Sequence, residues 1–247
     1  MRFVLLLAAF SMPVVAWLSV RGTLGPDPAS LSAQYPTLLV AAGYAFSIWG
    51  VIFALDLAYA VWQLRRRRAE RLEPITTVMT LGFALTAAWM PIFAQRWFVL
   101  ALVVIWAALA CMLYCAIRLA RGYRHRWVAW PAALHAGWLS LAAFLNTAQV
   151  VVAQQWLSTQ VQLPWSLLLL FAAWALLLVA NARLRGQAAY TVAVVWGLAA
   201  VFVEQRTSTL DGSTVTAWLA LLIAATLVIQ TVRLRRHAHA AVVNAQV

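Results

Sequence analysis

Apolar residues fall into eight long runs, roughly 3–20, 38–64, 75–95, 97–117, 127–153, 163–182, 188–205 and 214–232. Most of them reach the ~20 residues that carry a helix across ~30 Å of hydrocarbon. The run 188–205 is shorter and ends near Glu204. The pattern predicts an all-α, polytopic membrane bundle of about eight transmembrane helices. The third and fourth runs are joined by little more than Gln95-Arg96, which predicts a tight antiparallel hairpin. The longest segment expected to be non-helical is Arg21–Thr37, with Gly22, Gly25, Pro26, Pro28 and Pro36. Loops of that length often act as lids. The polar, uncharged segment Gln154–Gln162 sets a boundary between a five-helix part, 1–153, and a three-helix part, 154–247.

Composition agrees with the pattern. Of 247 residues, 65% are hydrophobic and 10% charged, more apolar surface than a soluble domain of this length could hide. The net charge of +12 does not signal nucleic acid. All 18 basic residues are arginines, clustered between the apolar runs. Arg65–Arg68 and Arg71 follow the second run, and Arg118, Arg121, Arg124 and Arg126 the fourth. Arg183 and Arg185 follow the sixth, and Arg233, Arg235 and Arg236 the eighth. With Arg2, fifteen of the 18 fall on one side, against Arg21, Arg96 and Arg206 on the other. The positive-inside rule then predicts an integral membrane protein with both termini in the cytoplasm.

Two local features have competing readings. Met1-Arg2 followed by Phe3–Phe10 has the charged start and apolar core of a signal peptide. Trp17, Leu18 and Val20 crowd the region where a small-residue cleavage site would stand, so the segment reads as a retained helix. Cleavage would leave seven helices and an external N-terminus. Cys111 and Cys115 lie one helical turn apart, a poor geometry for a disulfide, and no further metal ligands stand nearby in sequence. They read as small packing residues.

Three runs carry chemistry that a lipid-facing helix does not need. In the second, Trp49, Phe53 and Asp56 are spaced i, i+4, i+7 and share a helical face. In the third, Thr86, Trp89 and Phe93 do the same. In the fifth, His135, Trp138, Ala142, Asn146 and Gln149 form one stripe. An acid inside a membrane helix is costly and usually faces a protein interior, cavity or partner. Seven of the 14 tryptophans lie at run ends, where the headgroup interface suits them. Trp49, Trp89, Trp106, Trp138, Trp174, Trp196 and Trp218 lie deeper, where an indole N–H needs a partner. Aromatic faces with a few polar groups describe a small-molecule site. His135 also offers an imidazole, which suits iron.

The pieces Ala42-Gly-Tyr-Ala-Phe-Ser-Ile-Trp-Gly50, Ala88-Trp-Met-Pro-Ile-Phe93 and Gly137-Trp-(seven residues)-Asn146 agree in order and spacing with one family. The chain resembles the TspO/MBR family, the translocator proteins or peripheral-type benzodiazepine receptors. It is most similar to its longer bacterial branch, the tryptophan-rich sensory proteins. The resemblance covers residues 1–153 as a five-helix core, and the long branch accounts for the three further helices. It implies a pocket among the helices, capped by the first loop, that binds tetrapyrroles such as porphyrin or heme, and in some members sterols. It implies no required cofactor, and a homodimer. By position it makes Trp49, Trp89, Trp138 and Asn146 pocket residues. This chain departs from the family at Phe53, where short members have Tyr, and at Thr86, where they have Asn. It departs again at Leu134-His135, where they have Pro-Tyr, and Ala41 replaces a common Pro. Three of these changes alter the polar wall of the pocket.

The expected function is that of a non-catalytic membrane receptor or transporter-like protein for a hydrophobic ring ligand. The expected ligand-binding residues are Trp49, Phe53, Asp56, Thr86, Trp89, Phe93, His135, Trp138 and Asn146, with no metal site. Two other readings stay open: an enzyme using Asp56 or His135 as general acid or base, and a scaffold whose last three helices dock a partner.

Overall fold

The computed structural model describes residues 1–65, 73–122 and 126–244. Arg66, Arg67, Arg68, Arg71 and Arg124 of the arginine clusters lie outside the described residues, as do the side chains of Arg126 and Trp127. The described chain is helical almost throughout, without strands. Its elements are α1 (Arg2–Val20), α2 (Pro28–Ala33), α3 (Ile48–Arg65), α4 (Glu73–Ala94), α5 (Phe98–Gly122), α6 (Trp130–Ala153), α7 (Leu163–Arg183), α8 (Ala188–Thr207) and α9 (Ser213–Asn244). All but α2 are long and apolar enough to cross a membrane. The eight expected runs match these eight helices within about five residues, except that the second begins later and the eighth continues to Asn244. Residues 38–42 are not helical and begin with a turn, and helix starts with a tight 3-10 turn at Gly43–Ser47 that runs into α3.

The loop Arg21–Thr37 is not wholly irregular, which corrects the expectation. Asp27 caps α2, its carboxylate accepting from the backbone N–H of Ala29 (3.0 Å) and Ser30 (3.1 Å) and from the Ser30 hydroxyl. Pro28 fills the first helical position, where a missing N–H costs nothing. The expected α4–α5 hairpin is present, with Arg96 turning at φ 62. Its guanidinium bonds Gln34 Oε1 (2.9 Å) and the Tyr35 hydroxyl (3.2 Å), so the hairpin tip holds the end of the first loop.

Burial ranks the helices. In α6, 72% of the span is buried, against 22% in α1 and 33% in α7 and α9, so α6 is the central rod. It packs against α3, α5, α7 and α8. The contact with α8 is close because the residues are small: a Cβ on Gly137 would lie 2.5 Å from the Tyr190 carbonyl oxygen, and one on Gly197 2.5 Å from Leu141. Small residues let membrane helices approach this way. By contrast α1 buries only a narrow stripe, Leu5, Ala9, Met12 and Ser19, on α3 and α4. Phe3, Leu7, Phe10 and Trp17 point outward, as lipid-facing residues do. The last three helices are therefore not an appendage beside the core. Through α8 they pack on its central helix, with α9 against α7 and α8.

Candidate functional site

The three expected faces converge, but they divide into two neighbouring sites. In the first, Asp56 of α3, His135 of α6 and Thr86 of α4 form a chain that is fully or almost fully buried. Asp56 Oδ2 lies 2.8 Å from His135 Nδ1, and His135 Nε2 lies 3.2 Å from Thr86 Oγ1. Thr86 Oγ1 is in turn 2.9 Å from the Gly82 carbonyl oxygen. A carbonyl only accepts, so the single hydroxyl hydrogen of Thr86 goes there. The hydroxyl oxygen then accepts from Nε2, which must carry a hydrogen. A second proton lies between Nδ1 and Oδ2. Whether written as imidazolium–carboxylate or as imidazole–carboxylic acid, the pair is neutral overall. Asp56 Oδ1 is buried and has no hydrogen-bond partner among the described residues.

Aromatic rings wall this pair. Phe83 stacks on the imidazole (5.9 Å, 9°), and Trp49 meets its edge (5.6 Å, 89°). Trp49 stacks on Phe53 (5.2 Å), and Trp89 on Phe93 (4.9 Å). Both ring nitrogens of His135 are engaged, so neither is offered to an iron atom. Among the described residues no group of three or more His, Cys, Asp or Glu could hold a metal.

The second site is a cavity on the other side of Trp49. Trp49, Trp89, Trp138 and Asn146 line it, as the resemblance implies, together with Ala142 and Gln149 of the α6 stripe. Phe53, Asp56, Thr86, Phe93 and His135 do not reach it. Ser32, Val40, Ala41, Phe46, Ile105 and Leu145 complete the wall. Sequence reasoning missed these six. Phe46 stood inside the family-like segment and Ala41 just before it, but the others are ordinary apolar or loop residues without a signal. About 40 Å³ of the cavity is open to the centres of water molecules, room for about three waters. An outer cavity of about 120 Å³ adjoins it across Phe46, Trp49 and Trp89, and is bounded by Ala16, Ser19, Asp27 and Met90.

Polar satisfaction separates this cavity from ordinary helix packing. Three other deep tryptophans have partners: Trp106 donates to Thr147 (3.2 Å), Trp174 to Thr226 (2.9 Å) and Trp196 to the Ala45 carbonyl (3.1 Å). Trp218 is 57% exposed and faces out. Trp89 Nε1, Trp138 Nε1 and both side-chain heteroatoms of Asn146 are buried with no partner among the described residues. Unsatisfied buried polar groups are rare and costly. Four of them on one cavity wall make this cavity the candidate binding site.

The cavity has a roof. Residues 36–45, a turn followed by the start of the 3-10 turn that opens α3, lie over it and are tied down from the C-terminal half. Gln162 accepts from Leu38 N–H (3.3 Å) and donates to the Pro36 carbonyl (3.3 Å). Gln205 donates to the Thr37 and Val40 carbonyls, and the Ala42 N–H bonds the Ala200 carbonyl (3.1 Å).

An α-helical membrane bundle with an aromatic cavity under its first loop is the class of protein these features define. The chain belongs to the TSPO-like protein family, whose model matches residues 2–233. The match runs through all eight spans. No curated protein matches the chain, and no solved structure does.

Proposed function

We propose that this integral membrane protein is a receptor or transporter-like protein for a hydrophobic ring ligand of the tetrapyrrole class, bound in the Trp49–Trp89–Trp138 cavity for sensing or translocation. The observation that carries the reading is the set of unpartnered groups. Two indole N–H donors and a side-chain amide converge on a wall that is otherwise apolar and aromatic. Such a wall stacks a flat ring and hydrogen-bonds a few acceptors on its edge. The two adjoining cavities are too small for such a ligand until Phe46 or Trp49 swings and merges them. With His135 spent on Asp56 and Thr86, the ligand is held by stacking and hydrogen bonds, without an axial metal bond. We place the arginine-rich end in the cytoplasm, so the ligand enters under the roof from the opposite side or from lipid. The reading is of binding without chemistry on the ligand, in a homodimer.

Absorbance titration of the purified protein with protoporphyrin IX tests it. Saturable binding that weakens in Trp138→Ala is expected. No saturable shift, or one unchanged in that variant, would sink the reading.

A further inference from the structure

The Asp56–His135 pair lies beside the cavity, not in it, and stacking does not need it. A buried acid–base pair is expensive in a bilayer, where such groups mark ion or proton pathways. A buried salt bridge is weak evidence for a stabilising role.

Polar groups continue from the pair toward the arginine-rich end. On α3, Asp56, Tyr59 and Gln63 follow one another on one face, all buried. Asp56 and Gln63 are two turns apart, about 10 Å along the axis. The Gln63 side-chain amide bonds the Thr76 hydroxyl of α4, and Arg65 closes α3 two residues later. In the other direction Trp49 bridges the pair to the cavity, its ring 5.6 Å from His135 and 6.0 Å from Trp138. The seam thus joins the arginine-rich end to the ligand wall through one proton-sharing pair.

Resting on the ligand reading above, we infer that the pair is a proton-loading site coupled to the cavity, so that an anionic ring ligand enters together with a proton. The cavity wall offers indole N–H donors but no cation to neutralise an acid group. The neutral pair can take one further proton, becoming a carboxylic acid beside an imidazolium, and supplies the missing charge. No other ionisable group of the packed spans competes. Tyr59 on α3, Cys111, Tyr114 and Cys115 on α5 and Tyr190 on α8 are phenols and thiols, uncharged at neutral pH. Arg2 of α1, Arg65 of α3, Arg118 and Arg121 of α5, Arg183 of α7, and Glu204 and Arg206 of α8 stand at or near helix ends. Between Pro74 and Ala94 α4 carries no ionisable side chain, and α6 carries only His135. At a separation of about 10 Å and an effective dielectric of about 20, the added charge strengthens anion binding roughly tenfold.

Calorimetric titration of the full-length protein with protoporphyrin IX, in buffers of different ionisation heat, counts the protons taken up. The wild type takes up about one more than Asp56→Asn or His135→Gln, and its affinity rises about tenfold toward low pH, while theirs does not. Either folded variant decides the matter, and equal proton uptake in wild type and variant overturns the coupling. Infrared pH titration of the ligand-free protein is the second arm. A carboxylic-acid band that titrates with pH and is missing in Asp56→Asn is expected. Without such a band the proposal fails, whether or not the porphyrin binds. Absence of porphyrin binding with the band present refutes the ligand reading and the coupling to it, and leaves the proton site standing.

Discussion

Gln205, in α8, donates its side-chain amide to the backbone carbonyl of Thr37, 3.1 Å away and 168 residues earlier in the chain. The same nitrogen reaches the Val40 carbonyl at 3.3 Å. Both residues belong to the roof of the cavity, so α8 holds the segment that covers a cavity lined by residues of α3 to α6 and of the loop before α3.

Removing that amide should loosen the roof. Gln205→Leu leaves two carbonyls without this donor, at a cost of about 1–3 kcal/mol. Hydrogen exchange of the amides in residues 38–45 should accelerate roughly tenfold, while exchange in the middle of α6 stays unchanged. Equal acceleration in both segments would mean global destabilisation and no lid.

Truncation after about residue 155 removes Gln162, Trp196, Ala200 and Gln205 together. It also uncovers the α6 face around Gly137 and Leu141. The five-helix fragment should lose porphyrin binding, or hold it at least tenfold more weakly. Full affinity in the fragment would establish that the first five helices suffice.

The sequence shows the spans clearly and the site only in part, for physical reasons. A bilayer imposes a length and an apolarity on every crossing segment, so eight runs predict eight helices. The short helix α2 was not legible, because Asp27-Pro28 stands in a segment rich in Gly and Pro that carries no apolar run long enough to mark a helix. The pairing of Asp56 with His135 joins residues 79 positions apart on two helices, and one-dimensional spacing carries no sign of it. The deep tryptophans looked alike in sequence. Only packing separates Trp174, satisfied by Thr226, and Trp218, facing out, from Trp89 and Trp138. Gln162 and Gln205 read as ordinary polar ends of apolar runs, because a clamp is defined by what it grips.

Gly137 and Gly50 make a matched pair for testing the α6–α8 contact. A Cβ at Gly137 would strike the Tyr190 backbone at 2.5 Å, whereas one at Gly50 meets nothing within 4 Å. Gly137→Ala should destabilise the protein by about 1–3 kcal/mol, as overpacking does. Gly50→Ala should be neutral or stabilise α3 by up to about 1 kcal/mol. Unfolding in detergent by a mild denaturant measures both.

Phe46 separates the inner from the outer cavity. Phe46→Ala should merge them and speed porphyrin association several-fold in stopped-flow fluorescence. The dissociation rate should rise as well, because the smaller side chain gives up contact with Trp138, whose ring lies 6.2 Å from that of Phe46. An unchanged association rate would mean that the ligand does not pass this residue.

Asp27 ties the order of the first loop to pH. Partial burial works against its charge, but bonds from the Ser30 hydroxyl and from the Ser30 and Ala29 N–H groups outweigh it, holding the carboxyl below its ordinary value of 3.8. A carboxyl depressed in the folded state stabilises above its unfolded pKa and loses that contribution as pH falls through the folded one. The α2 cap is therefore complete at neutral pH and weakens only below about pH 4. Asp27→Ala should remove about 1 kcal/mol of local stability at neutral pH, and Asp27→Asn, which keeps an accepting oxygen, much less. Exchange of the Ala29 and Ser30 amides reads both. Asp27 also borders the outer cavity, so the Ala variant should raise porphyrin association and dissociation rates together. A change in either rate without faster exchange at α2 would separate the acid's contact with the ligand from its role as a cap.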